Sequence, residues 1–166
     1  DEAVQFIEST DRELVGRMLG MKGVIDLIIP RGGKELIHRV VEEAAMPAVT
    51  GGIGVCHTYV DRAADIQMAV RIVDNAKVQR PSVCNALDTV IVHSEIASCY
   101  LKRIADLWTE TGVEMRCDLR SASLLGPRDG LSIVPAQDQD WGTEFLSLTA
   151  AVKIVDSLEE AIEHIE

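Results

Sequence analysis

The chain of 166 residues is predicted to fold as an α/β protein, with a mostly parallel sheet flanked by helices. Short apolar segments rich in β-branched residues alternate with segments of about 10 to 15 residues that have helical periodicity. Glycine and proline turns separate the two kinds of segment. Hydrophobic residues make up 47% of the chain, which is enough for one full core, or for a core with a small lobe.

In the first 50 residues we predict two helices and one strand, at residues 11–19, 34–45 and 24–29. The first helix follows a capping cluster at residues 9–11. The strand is a nearly continuous apolar run, which is typical of a strand buried on both faces. A turn of Pro, Arg and two Gly at residues 30–33 separates it from the second helix.

The remaining sequence continues the alternation of strands and helices. Strands are predicted at residues 55–60, 89–93, 113–117, 131–135 and 150–155. Helices are predicted at residues 64–76, from Ser94 to Gly112, at residues 119–125 and after Ser157. Residues 137–142 are predicted to form a polar loop.

Composition excludes several classes of function. The chain has 16 Lys+Arg against 27 Asp+Glu, a formal net charge of -11, which argues against binding nucleic acid or an anionic membrane. No apolar run is long enough to span a bilayer, and no basic segment followed by an apolar one opens the chain. The four cysteines form no CxxC pair and no metal-ligand motif is present, so we expect a cytoplasmic protein without a metal site. Because the chain does not begin with Met, we expect it to be part of a longer protein.

Cys84 is the candidate for chemistry. It lies in a loop between a predicted helix and a predicted strand, where unpaired backbone amides could support an oxyanion and where Asn85 adds a donor. Lys77 and Arg80 are close in sequence and could stabilise the thiolate. A buried, inert thiol is the competing interpretation, and the residues alone favour it.

Other segments give weaker signals. Residues 30–34 follow a strand and open a helix, as phosphate-binding turns do, although they match neither a P-loop nor GxGxxG. The glycine-rich segment 50–54 fits a tight turn equally well. His57 and His93 are expected to be hydrogen-bonded packing residues. Glu144 and Phe145 could contact a ligand, or Phe145 could join Trp141 as a lid over the edge of the core.

Several segments together resemble the gamma-glutamyl phosphate reductase family of the aldehyde dehydrogenase superfamily. They are IDLIIPRGGK at residues 25–34, TGGIGVCHTYVD at 50–61, NAKVQRPSVCN at 75–85, EFLSL at 144–148 and AVKIV at 151–155. The resemblance covers nearly all of the chain. It implies an aldehyde-dehydrogenase-like catalytic domain at residues 51–166, and a lead-in or cofactor-side region at residues 1–50, or else one compact domain.

The resemblance also implies a reaction. Enzymes of this family use NADPH to reduce L-glutamyl 5-phosphate to L-glutamate 5-semialdehyde in proline biosynthesis, and Cys84 corresponds to their nucleophile. Asn85 would lie beside the oxyanion. Arg31, Gly32, Gly33 and Lys34 would lie on the cofactor side, while Glu144, with Phe145 next to it, would contact the nicotinamide ribose. The full-length protein would be a homo-oligomer that acts on a small molecule.

Two departures from the superfamily pattern carry expectations. Thr50 stands where hydrolytic aldehyde dehydrogenases have a Glu that activates water, which fits an acyl intermediate that is not hydrolysed. The chain is also much shorter than the family's full length, so we expect no appreciable reductase activity from it alone. A bifunctional kinase-reductase as parent, a non-catalytic binding or regulatory module, and an assembly fragment remain alternatives.

Overall fold

A computed structural model describes residues 3–51 and 54–166 of the chain. These residues fall into two compact units, which divide at residues 52–53 and are considered separately. The predicted glycine-rich segment at 50–54 is only partly covered, because Gly52 and Ile53 lie outside the described residues.

The first unit contains helix α1, Glu13–Leu19, and helix α2, Lys34–Glu43. Both helices lie where the periodicity placed them. Leu19 and Val40 are the buried side chains of the two helices, each about 2% exposed. The Leu19 carbonyl also accepts a hydrogen bond from the Ala45 amide at 2.8 Å, which ties the end of α1 to the chain that follows α2.

The prediction of a strand buried on both faces at residues 24–29 was wrong. The run makes two isolated bridges, Lys22 with Ile25 and Ile28 with Ala48, and no continuous ladder within the described residues. Val24 is 72% exposed and Ile29 63% exposed. Apolar composition reveals that a segment favours burial but not whether a neighbouring strand is present to pair with it.

The second unit is built on five parallel strands, which confirms the predicted fold class. The strands are β1 (His57–Val60), β2 (Thr89–His93), β3 (Glu114–Cys117), β4 (Ile133–Pro135) and β5 (Thr149–Val155). Their order across the sheet is β1-β2-β5-β3-β4, so the last strand in sequence lies at the centre. Its neighbours are fixed in register, with Thr89 opposite Ala151 and Glu114 opposite Thr149.

Four helices cover this sheet: α3 (Ile66–Val78), α4 (Ser94–Thr111), α5 (Leu119–Leu125) and α6 (Leu158–Ile165). The first three pack on one face, around fully buried residues that include Trp108, Tyr100 and Met115. Helix α6 packs on the other face through Ala161, against Ile91 and Val155. None of the helices in the described residues is both long and apolar enough to cross a membrane.

One local prediction needed correction. Residues 138–142 form a 3-10 helix, because Gln137 and Asp140 cap its first turn reciprocally, where a polar loop was expected. Helix α4 begins at Ser94 and is capped by His93, whose Nδ1 accepts from the Glu95 amide at 3.2 Å. The expectation that His93 is a hydrogen-bonded packing residue was therefore right.

The parallel sheet has two chemically distinct edges. The amino edge is formed by the segments that enter β1, β2 and β5, at residues 55–56, 79–88 and 143–148. The carboxyl edge is formed by the segments that follow the strands, including Asp61, Asp118 and Asp156. The loop of Cys84 belongs to the amino edge.

Candidate functional site at the amino edge

Cys84 is exposed in the loop between α3 and β2. The loop is shaped by backbone turns, in which the Val83 amide donates to the Arg80 carbonyl at 3.4 Å and the Ala86 amide to the Val83 carbonyl at 3.0 Å. Asn85 is exposed beside Cys84. The loop thus presents a thiol and a side-chain amide donor together on the surface, as a nucleophile and an oxyanion donor require.

Cys56 is the thiol nearest to this loop, and the sequence did not single it out. Its Sγ donates to the Cys84 carbonyl at 3.4 Å. Burial raises the pKa of the Cys56 thiol, and the Asp88 carboxylate raises it further. Cys56 is therefore held as a neutral donor, whereas Cys84 is the thiol that reaches solvent. Of the other two cysteines, Cys117 is buried and Cys99 is exposed on α4.

Asp88 holds the amino edge together, and sequence reasoning missed it. The side chain is 2% exposed. Its Oδ2 accepts from the Cys56 amide and its Oδ1 from the Phe145 amide, both at 3.0 Å. A carboxylate between the buried residues Leu87 and Thr89 was the available signal, because a charge inside an apolar run is buried only when it is satisfied.

Lys77 does not serve the role suggested by its position in the sequence. The residue is fully buried, and its ammonium donates to the carbonyls of Ser147 at 3.0 Å and Thr149 at 2.8 Å. Burial lowers the pKa of Lys77, and the charge of Asp88 opposes that shift. The Lys77 ammonium is thus bound to the backbone that enters β5 and is not a surface charge beside Cys84.

Glu144 and Phe145 lie in that same entry segment and are half-buried. The Phe145 ring packs beneath the guanidinium of Arg116, whose Cζ is 5.7 Å from the ring centroid. Leu146 follows with φ of 50°, the left-handed value that non-glycine residues rarely adopt. The structure therefore brings Cys84, Asn85, Glu144 and Phe145 to one edge of one sheet.

Trp141 belongs to a different cluster and does not join Phe145 as a lid. Its ring meets His164 edge-on at 5.3 Å and lies 5.3 Å from the ammonium of Lys153. His57 also meets His164, at 5.6 Å between ring centroids, and its Nδ1 is 2.9 Å from the Val55 carbonyl. His57 is therefore a packing residue, as predicted.

Arg31, Gly32, Gly33 and Lys34 lie in the first unit, at the start of α2. A cavity of about 620 Å³ is lined by Gly32, Gly33 and Lys34 together with side chains that include Arg12 and Arg39. Gly33 is the N-cap of α2 and provides no capping side chain, although its carbonyl accepts from the Leu36 amide at 3.1 Å. Within the described residues, no three His, Cys, Asp or Glu side chains are grouped to hold a metal ion.

No family model matches the chain. Individual proteins do. The chain is 52% identical over 164 residues to gamma-glutamyl phosphate reductase of Dehalococcoides mccartyi strain BAV1, covering 99% of this chain and 39% of the relative. It is 50% identical over 169 residues to the protein of the same name from Sulfurihydrogenibium sp., with coverage of 100% and 38%. The chain thus spans about two fifths of the length of the curated relatives that it matches.

Solved structures agree. The crystal structure of gamma-glutamyl phosphate reductase from Thermotoga maritima matches with a TM-score of 0.87 and 42% identity, over 98% of this chain and 38% of that one. An acetylating aldehyde dehydrogenase from Geobacillus thermoglucosidasius matches with a TM-score of 0.64 and 17% identity, over 93% and 40%. The second likeness shows the aldehyde-dehydrogenase-like fold alone. Over the region that it spans, the chain is similar to proteins named gamma-glutamyl phosphate reductase.

Proposed function

We propose that this chain carries the nucleophile and part of the cofactor site of a cytoplasmic NADPH-dependent reductase. The reaction is the conversion of L-glutamyl 5-phosphate to L-glutamate 5-semialdehyde and phosphate, in proline biosynthesis. The observation that supports it most is the placement of Cys84, exposed in an irregular loop at the entry to β2, in a chain about half identical to enzymes named for this substrate. The full-length protein is proposed to be a homo-oligomer.

In the first step, the Cys84 thiolate attacks the carbonyl carbon of the acyl phosphate. The sulfur–carbon bond forms, the carbon–oxygen bond to phosphate breaks, and phosphate leaves with its electron pair. Asn85 is positioned in sequence and on the surface to donate to the oxyanion that develops during attack. The product of this step is a thioester on Cys84, which accepts hydride more readily than a carboxylate does.

NADPH, when bound, would supply hydride to the thioester carbon. Breakage of the sulfur–carbon bond would then release the aldehyde and return Cys84 as a thiolate. Thr50 stands in place of the carboxylate that activates water in hydrolytic relatives. Without a base at this position, the thioester is reduced and not hydrolysed.

The chain offers two groups of residues suited to this cofactor. Glu144 presents a carboxylate able to accept hydrogen bonds from ribose hydroxyls, and Phe145 lies next to it. In the first unit, Gly32 and Gly33 leave a cavity open beside the cations Arg12, Lys34 and Arg39, which complement phosphate groups. A Cβ at Gly32 would lie 2.7 Å from Leu36 Cδ2, so a side chain there would require the Leu36 side chain to move.

The test is substitution of the nucleophile in protein expressed from the full reading frame that encodes this chain. Cys84→Ser should lower the rate of NADPH oxidation with freshly generated glutamyl phosphate by on the order of 10³-fold or more, because the hydroxyl is a far weaker nucleophile. Cys99→Ser is the matched control, since Cys99 is also an exposed thiol but lies on α4. Its rate should stay within about twofold of the parent rate.

Retention of full activity in Cys84→Ser would overturn the assignment, and so would equal losses in both variants. The 166-residue chain alone is expected to show no steady NADPH oxidation. Iodoacetamide labelling of Cys84 separates the catalytic interpretation from the non-catalytic one. An activated thiol should be alkylated faster than a free thiol at pH 7, and an exposed structural thiol should not be.

A further inference from the structure

The entry to β5 is held from both sides of a strained residue. Leu146 has φ of 50°, and it is the only non-glycine residue with positive φ in residues 3–51 and 54–166. The other left-handed positions near this edge are glycines, which adopt the conformation without a Cβ clash, namely Gly112, Gly126 and Gly130. A left-handed leucine costs about 1–2 kcal/mol and persists only where its surroundings fix it.

Asp88 fixes the chain on the amino side of Leu146. The Phe145 amide donates to Oδ1, and Oδ2 is occupied by the Cys56 amide. One buried carboxylate therefore joins the Cys84 side of the edge to the residue directly after Glu144.

Lys77 fixes the chain on the other side. Its ammonium binds the carbonyls of Ser147 and Thr149, so two of the three residues that follow Leu146 are tied to helix α3. The backbone from Phe145 to Thr149 is thus held by two buried charges, and neither charge reaches solvent.

We propose that Asp88 and Lys77 are positioning residues for Glu144. Their contacts hold the Leu146 turn in its left-handed conformation and thereby set where the Glu144 carboxylate meets the nicotinamide ribose. The inference rests on the proposed function, because it takes Glu144 as a cofactor contact. Neither Asp88 nor Lys77 touches substrate or cofactor in this arrangement.

Asp118 provides a matched control. It is also a carboxylate that bridges two backbone amides, accepting from Ser121 at 2.7 Å and from Ile154 at 3.1 Å. It lies at the carboxyl edge of the same sheet. Asp118→Asn and Asp88→Asn therefore make the same chemical change at opposite ends of the strands.

The experiment measures the Kd of NADPH by fluorescence titration, in protein expressed from the full reading frame. Asp88→Asn should raise the Kd roughly tenfold, since an amide presents one acceptor where the carboxylate presents two. Asp118→Asn should stay within about twofold of the parent. Glu144→Gln should also weaken NADPH binding. The double variant Asp88→Asn/Glu144→Gln should bind NADPH no more weakly than Glu144→Gln alone, because Asp88 acts only through Glu144.

Additive effects of Asp88→Asn and Glu144→Gln would overturn the proposal, as would equal changes in Asp88→Asn and Asp118→Asn. A parent protein that does not bind NADPH would instead refute the proposed function. In that case, hydrogen exchange at the Phe145 amide still tests whether Asp88 holds this segment in place. Exchange should accelerate in Asp88→Asn and not in Asp118→Asn, and unchanged exchange in Asp88→Asn would show that Asp88 does not hold the segment.

Leu146 variants keep the proposal testable if Asp88→Asn does not fold. Leu146 is 45% exposed, so its substitution leaves the core intact. Leu146→Val should raise the NADPH Kd more than Leu146→Gly does, because a β-branched residue resists positive φ and glycine accepts it. The reverse order would contradict the proposal.

Discussion

The two edges of the sheet differ in how deeply their charges are buried. At the carboxyl edge, Asp118 binds backbone amides while only half-buried, and Arg120 and Asp156 form an exposed bidentate pair with hydrogen bonds of 2.7 and 2.9 Å. At the amino edge, Lys77 and Asp88 are buried and bind backbone groups. The charges there order the chain, while a thiol is presented to solvent.

This difference sets the proposed site apart from the opposite edge. Ligands of open parallel sheets usually bind beyond the carboxyl ends of the strands, at a switch in strand order. Here the candidate nucleophile precedes β2, so the site lies at the amino ends. A rigid, buried framework under an exposed reactive loop is the arrangement that holds reacting groups in place.

Of the charged residues at the two edges, Lys77 should contribute most to stability. Lys77→Met should lower the free energy of unfolding by roughly 2–4 kcal/mol, because the carbonyls of Ser147 and Thr149 lose the buried ammonium that donates to them. Arg120→Met should lower it far less, since that pair is exposed and water replaces it. Urea denaturation of both variants measures the difference, and equal losses would remove the distinction between the edges.

The pH dependence of stability should separate the Trp141 cluster, on the face of α6, from the carboxyl edge. Burial lowers the pKa of His164 to about 4 from 6.5, and the charges of Lys153 and His57 add to the shift. The stability that neutral His164 contributes is present above pH 6.5 and is lost as the pH falls toward 4. Between pH 6.5 and 4, the free energy of unfolding should change by at most about 1.4 kcal/mol per pH unit through His164.

Asp156 titrates in a lower window. Its hydrogen bond to Arg120 lowers the pKa to about 2 from 3.8, so its contribution is lost between pH 3.8 and 2. Thermal unfolding measured across pH should show no loss of stability between pH 6.5 and 4 in His164→Gln, and none between pH 3.8 and 2 in Asp156→Asn. If both variants change the pH dependence of stability in the same window, the two groups do not act separately.

The smallest predicted effect concerns the strain at Leu146. Leu146→Val should lower the free energy of unfolding by about 1 kcal/mol, whereas Leu146→Gly should change it little, because relief of strain offsets the greater freedom of the unfolded chain. Gly112→Ala, at φ of 74°, supplies a reference for the cost of a side chain at positive φ. Equal stability of Leu146→Val and the parent would show that the turn carries no strain.

Sequence patterns predicted the framework better than the contacts. Strand β2 was predicted to the residue, because its apolar run is bounded by Asp88 on one side and by Ser94, the first residue of α4, on the other. The 24–29 run has the same composition but lacks a continuous ladder, since pairing depends on neighbours that the pattern does not reveal.

The candidate site shows the same limit. The motif located Cys84, but proximity in sequence misassigned Lys77, whose side chain leaves α3 toward the sheet and not toward the loop. Asp88 was missed because a lone acidic residue before a strand is usually a turn residue. Its importance comes from Phe145, 57 positions later, and no local pattern carries that information.

The place of β5 sets the order in which this unit can be completed during synthesis. Strands β1 and β2 can pair as soon as α3 has formed, and β3 and β4 can pair around α5. No strand-to-strand hydrogen bonds join these two pairs until Thr149–Val155 inserts between them and bonds to both. Such long-range pairing is slow, so protection of β2 from protease on the ribosome should rise only after Val155 has emerged, and earlier protection would refute this order.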